Sequence, residues 1–130
     1  MRRLLPLAAA VSLLAAPAAA VPQWRAAPEQ DVLLSRWDIA PPELRLKAGE
    51  AVRLRFVNNS EQALTFSARR FFGSAEARRQ DAALLKAGRV VVPPHSTRTV
   101  MLVPRAGRYR AEGGHLLHRL LGMRGRILVE

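Results

Sequence analysis

Short stretches in which apolar and polar residues alternate recur along most of the chain and are separated by turn residues. The clearest is 52–56, where Val, Leu and Phe alternate with two arginines before the turn Asn58-Asn59-Ser60. A period of two places successive side chains on opposite faces of a strand, so this pattern predicts a strand with one buried face. Alternation and short apolar runs together predict strands over residues 32–39, 44–47, 52–56, 63–68, 90–92, 97–103, 108–112 and 127–129.

One stretch carries helical signals instead. Ser74 fits an N-cap, Lys86 lies in the last turn and Gly88 fits the C′ position, which predicts a helix over Ser74–Lys86. Residues 113–125 lack a strand pattern and are predicted as a loop between the last two strands. Seven or eight short strands with regular turns and one short helical insert predict an all-β sandwich of Greek-key topology.

The first twenty residues have the composition of a secretory signal peptide, which predicts export to the periplasm. Arg2 and Arg3 precede an apolar run from Leu4 to Ala16, and three alanines end at position 20. The run is shorter than the ~20 residues that a membrane-spanning helix needs, which disfavours an uncleaved anchor. Residues 21–30 are polar with two prolines and are predicted as a flexible leader, and 31–130 as one folded domain.

Composition excludes several classes of site. The 130 residues include 21 Lys and Arg against 10 Asp and Glu, and no Cys. Without Cys there are no disulfides, thiolate nucleophiles, cysteine-ligated zinc or iron–sulfur sites, and no blue-copper site with its thiolate. The serines do not lie in a nucleophile-elbow motif, and the acidic residues form no close pair that would suggest catalysis, so the sequence does not indicate an enzyme. The full chain has a net charge of +11, and removing Arg2 and Arg3 with the signal peptide leaves +9. An exported chain of this charge is expected to meet acidic partners or an anionic membrane surface rather than nucleic acid.

Five residues of the exported chain are candidate metal ligands. Met101 lies within a strand pattern and is predicted to pack in the core, whereas His95 lies in a Pro-Pro-His-Ser turn and is predicted to be solvated. His115, His118 and Met123 fall in one predicted loop and offer two imidazoles and a thioether, which copper accepts. The residues alone leave a second interpretation open, namely two surface histidines and a packing methionine.

The stretch from Tyr109 onward resembles the end of small periplasmic cupredoxins, particularly the EfeO-type cupredoxin-like domain. That family has a Cys, four residues, a His, four residues, a Met, then Lys or Arg with Gly and a final strand. Here Gly113, His118 and Met123 occupy those positions, and Arg124-Gly125 follows. Further similarity lies in segments 46–49, 52–54, 58–59, 71–75, 91–94 and 103–109, so the resemblance spans roughly 31–130.

The resemblance implies a cupredoxin fold and a role in bacterial iron or copper handling, but two of the four usual ligands are missing. Gly113 replaces the Cys, and Leu64 replaces the first His. His118 and Met123 remain, with His115 beside them, so the expected site is a weak or non-blue copper site formed by these three. The alternative is a metal-free scaffold or interaction domain. The partner that the resemblance implies is a periplasmic or membrane metal-transport protein.

Overall fold

Two five-stranded sheets form a sandwich in the part of the chain that the computed structural model describes, residues 22–114 and 123–130. The predicted signal peptide at 1–20 and the two candidate ligands His115 and His118 lie outside the described residues. The strands are β1 (Glu29–Leu34), β2 (Ile39–Ala40), β3 (Glu43–Leu46), β4 (Val52–Asn58), β5 (Leu64–Ser67), β6 (Glu76–Ala77), β7 (Arg89–Val92), β8 (Ser96–Val103), β9 (Gly107–Gly114) and β10 (Met123–Val129). The helices are α1 (Arg69–Ser74) and α2 (Ala82–Ala87).

The order of the strands is β2-β1-β4-β8-β6 in one sheet, here sheet A, and β3-β10-β9-β5-β7 in the other, sheet B. β1 runs parallel to β4 and β3 runs parallel to β10, whereas the other neighbours are antiparallel. The predicted all-β sandwich is confirmed. The described residues contain ten strands rather than seven or eight, because β2 and β6, of two residues each, pair at the edges of sheet A.

Strand β4 shows how the alternating pattern builds the core. Val52, Leu54 and Phe56 are buried between the sheets, and Arg53 and Arg55 lie on the outer face. The buried apolar side chains of both sheets join in one cluster with those of α1 and α2. Each large apolar side chain buried in this way contributes roughly 1.5–3 kcal/mol of transfer free energy, so the pattern that predicts the strand also specifies its buried face.

The prediction of one helix over Ser74–Lys86 is wrong. Ser74 ends α1 rather than capping a helix, and its hydroxyl donates back to the Phe71 carbonyl at 3.0 Å. The following residues run along the edge of sheet A, where β6 pairs with β8. Asp81 Oδ2 accepts a hydrogen bond from the Met101 backbone N–H at 3.0 Å, so a long-range bond holds this segment. A 3₁₀ turn at Arg79–Asp81 then leads into α2.

The beginning of the sandwich also differs from its prediction. Trp24–Ala26 forms a 3₁₀ turn within the predicted leader 21–30, and β1 begins at Glu29. Glu29 pairs with Arg53 of β4 and forms an ion pair with it at 3.9 Å, which extends the strand toward the N-terminus. The strand predicted over 32–39 is interrupted after Leu34 by a turn and resumes as β2.

Neither helix in the described part of the chain combines the length and the hydropathy that crossing a membrane requires.

Candidate functional site

Strands of both sheets begin or end together at one end of the sandwich, which we call the loop end. There β4 finishes at Asn58, β7 at Val92 and β9 at Gly114, while β5 begins at Leu64 and β10 at Met123. The register places these ends together. Leu64 at the start of β5 pairs with Val92 at the end of β7, and β9 lies between β5 and β10 in the same sheet. The chain between β9 and β10 carries His115 and His118, so it must start and finish at this end.

The predicted loop 113–125 is shorter at both ends than expected. Gly113 lies within β9 and pairs with Phe66 on one side and with Met123 on the other. Met123 is therefore the first residue of β10 rather than a loop residue. These pairs bring two positions of the family's ligand pattern, Gly113 and Met123, into direct cross-strand register.

Leu64, which the resemblance places at the position of the first histidine ligand, has apolar surroundings. Leu64 is 1% exposed, and it lies on the same inner face of β5 as Phe66. The Phe66 ring packs against those of Phe56, at 4.8 Å between centroids, and Phe72, at 6.0 Å. The inner face beside Gly113 is thus filled by hydrocarbon rather than by metal ligands.

A type-1 copper ion does not fit these residues. Leu64 offers no donor atom, Gly113 offers no side chain, and the chain has no thiolate. Within residues 22–114 and 123–130 there is no group of three or more His, Asp or Glu side chains that could hold a metal ion. In the same ranges no buried side-chain nitrogen or oxygen lacks a hydrogen-bond partner, so no orphaned donor marks a metal position.

Asn58 is the polar centre of the loop end, and it is fully buried. Its amide nitrogen faces the carbonyl oxygens of Gln62, Val92 and Pro93 at 2.8, 3.0 and 3.1 Å. Its amide oxygen accepts hydrogen bonds from the backbone N–H and the hydroxyl of Ser60, at 2.9 and 2.7 Å. One side chain therefore ties the turn after β4 to the end of β7, across the two sheets.

Sequence reasoning treated Asn58 only as a turn residue and missed this role. A signal was available, because the alternation of Val52, Leu54 and Phe56 continues to position 58 and places that side chain inside. A buried amide needs hydrogen-bond partners. The alternation therefore predicts a structural polar group at this position.

His95 also lies at the loop end, in the turn between β7 and β8. Its backbone N–H donates to the Ser60 carbonyl at 3.1 Å, and its φ of 49° is in the left-handed region. The residue is exposed, as predicted for a solvated turn. Met101 is 3% exposed, which confirms the packing role predicted for it.

Solved structures that are similar to this chain over most of its length include two auracyanins. Auracyanin B matches with a TM-score of 0.56 and 18% identity, covering 87% of this chain and 93% of that chain. A Na-dithionite reduced auracyanin from the photosynthetic bacterium Roseiflexus castenholzii matches with a TM-score of 0.56 and 15% identity, covering 79% and 96%. A scan against protein-family models and a search of curated proteins both find no match.

Both similar structures are cupredoxins, and the chain therefore has the cupredoxin fold. At these identities the likeness concerns the fold alone.

Proposed function

We propose that this chain is an exported cupredoxin-fold protein that binds Cu(I) at a non-blue site formed by His115, His118 and Met123. The observation that carries the proposal is the cross-strand pair Gly113–Met123. Because β9 and β10 are paired there, the chain that bears both histidines is anchored on each side by a rigid sheet. A rigid support on both sides of a segment favours a metal site, because binding sites need precisely positioned supports.

The donor set suits Cu(I) and disfavours a blue site. A thioether is a soft ligand that prefers Cu(I), and imidazole binds copper in either oxidation state. The blue colour of type-1 copper comes from the copper–thiolate bond, and the chain has no Cys. We therefore expect a colourless complex, and without the thiolate we do not propose electron transfer or catalysis as its role.

Replacing His118 with alanine is expected to weaken Cu(I) binding by at least about tenfold. Mutating a residue that only hydrogen-bonds to a metal ligand already lowers metal affinity by about that factor, and losing a ligand should lower it at least as much. The measurement is a competition titration of the purified protein against Cu(I) chelators of known affinity. His95→Ala is the matched control, because His95 is an exposed histidine in the β7–β8 turn. Equal affinity in the His118→Ala and His95→Ala variants and the parent would contradict the proposed site.

A metal-free scaffold or interaction domain is the second candidate, and the burial of Leu64 favours it. Leu64 and Phe66 close the inner face of β5 at the position where the family has a histidine ligand. The same titration separates the two candidates. Affinity no higher than that of an ordinary surface histidine would support the metal-free domain.

The context of the proposed function is bacterial metal handling, which rests on the resemblance to EfeO-type domains. An exported copper-binding domain of this size would pass its ion to, or dock on, a periplasmic or membrane metal-transport protein. The excess of basic residues supports an acidic partner.

A further inference from the structure

The outer face of sheet B is rich in arginine. Strands β3, β7, β9 and β10 each turn their buried residues inward and their charged residues outward. Six arginines on this face are exposed: Arg45, Arg89, Arg108, Arg110, Arg124 and Arg126. Two glutamates, Glu43 and Glu112, share the face, which leaves an excess of four positive charges. We call this surface the arginine face.

The centre of the arginine face is the β9–β10 hairpin. In the strand register Glu112 lies opposite Arg124 and Glu43 lies opposite Arg126, but neither glutamate forms an ion pair with these arginines among the described residues. Arg110 and Arg126 are direct cross-strand partners. Like charges in that position destabilise a sheet. Among residues 22–114 and 123–130, no carboxylate lies within 4.0 Å of Arg108, Arg110, Arg124 or Arg126.

The outer face of sheet A differs from the arginine face, because its charges are neutralised. Glu29 and Asp31 of β1 lie beside Arg53 and Arg55 of β4. Arg55 donates two hydrogen bonds to Asp31, at 2.8 and 2.9 Å, and these bonds raise the pKa of Arg55 above its ordinary value. The outer face of sheet A is thus close to neutral, whereas that of sheet B is positively charged.

From this asymmetry we propose that the arginine face is a docking surface for an acidic protein. Arginine presents a planar fork that binds carboxylates through two parallel hydrogen bonds, and the paired strands hold these forks at fixed spacing. A row of carboxylates on a partner would supply the counter-charges that this protein lacks on that face, and it would relieve the repulsion between Arg110 and Arg126.

A membrane surface fits the arginine face less well. Stable binding to lipid needs apolar side chains that insert at the interface as well as basic residues. Of the large apolar residues exposed in the described ranges, Leu33 and Trp37 belong to sheet A and its β1–β2 turn, and only Val91, on edge strand β7, lies on the arginine face.

The proposal does not depend on copper. It uses only described strands and would hold for a metal-free domain as well. The strands that carry the four central arginines are the two that flank residues 115–122 in the sequence.

The test compares two double variants that lose the same charge. R110Q/R126Q removes the paired arginines at the centre of the face. R79Q/R98Q removes two exposed arginines on the sheet A side, where Arg98 lies in β8 and Arg79 follows β6. Binding of a fluorescent peptide of repeated Asp-Glu units is measured by anisotropy at several salt concentrations, and circular dichroism checks that each variant is folded.

We expect R110Q/R126Q to weaken peptide binding by about tenfold and R79Q/R98Q by less than about twofold. The melting temperature of R110Q/R126Q should equal or exceed that of the parent, because the change removes a like-charge pair. Binding should weaken as salt rises. These results together would support an acidic protein partner.

Three results would overturn the proposal. Equal weakening in both double variants would mean that net charge alone attracts the peptide. No measurable binding by the parent at low salt would mean that the arginines do not form a docking surface. Vesicles of phosphatidylglycerol and phosphatidylcholine serve as the second probe. Binding to vesicles that R110Q/R126Q abolishes, with peptide binding unchanged, would identify a membrane surface instead.

Discussion

Replacing Asn58 with alanine is expected to destabilise the protein by about 3 kcal/mol, because several buried polar groups would lose their partners together. The Asn58 side chain is fully buried and contacts three carbonyl oxygens and two donors of Ser60. Alanine would leave the carbonyls of Val92 and Pro93 without this donor. The measurement is urea unfolding of the parent and the variant.

Asn59→Ala is the matched control for this prediction. Asn59 is the next residue along the chain, it is exposed, and among the described residues its side chain has no hydrogen-bond partner. Its replacement should change the free energy of unfolding by less than about 0.5 kcal/mol. Equal effects of the two substitutions would show that Asn58 does not hold the loop end together.

Restoring the two missing ligands is expected to create a blue-copper site. In the double variant Gly113→Cys/Leu64→His, Cu(II) should produce the intense visible absorption of a copper–thiolate bond, which the parent lacks. Gly113 is opposite Phe66, and Leu64 is two residues further along the same face of β5. Diagonal cross-strand neighbours of this kind are roughly 7–8 Å apart, with their Cβ atoms somewhat closer. The side chains of Cys and His at these two positions can therefore reach one ion.

The control for the restored site is Leu64→His alone. It supplies the imidazole without a thiolate, so Cu(II) should leave it colourless. It should also be less stable than the parent, because a polar ring enters a site that is 1% exposed and apolar. A folded double variant that binds Cu(II) without the visible band would show that Gly113 and Leu64 are not at the ligand positions.

The sandwich could be predicted from the sequence because several strands alternate clearly and others, such as β8 with Val100, Met101 and Leu102, carry short apolar runs. In β4 the period of two identifies the inner residues Val52, Leu54 and Phe56 without any knowledge of the partner strands. The same alternation identifies arginines on the outer faces. It does not identify which arginines become neighbours, because the pairing of Arg110 with Arg126 depends on the register between β9 and β10.

The helical insert shows why local signals fail where a long-range bond competes. The end signal was correct, since Gly88 has a φ of 73° and caps α2. The start signal at Ser74 was not, because Asp81 bonds to the Met101 backbone twenty residues away and Glu76 pairs with Val103. Neither contact can be inferred from the residues that surround Ser74.

The candidate site was predictable only in part. The resemblance pointed to Gly113, His118 and Met123; of these the structure describes Gly113 and Met123, which are cross-strand partners. Leu64, which the resemblance aligns with the family's first ligand, is buried in the apolar core. The choice between a non-blue site and a metal-free domain depends on His115 and His118, which lie outside the described residues.

X-ray absorption spectroscopy of the Cu(I)-loaded protein tests the proposed site most directly, because it reports the atoms bound to copper. We expect a shell of nitrogen donors with one sulfur donor. The sulfur contribution should disappear in Met123→Leu, a change that keeps side-chain volume. Cu(I) bound only to light atoms, with a spectrum unchanged in Met123→Leu, would contradict the site formed by His115, His118 and Met123.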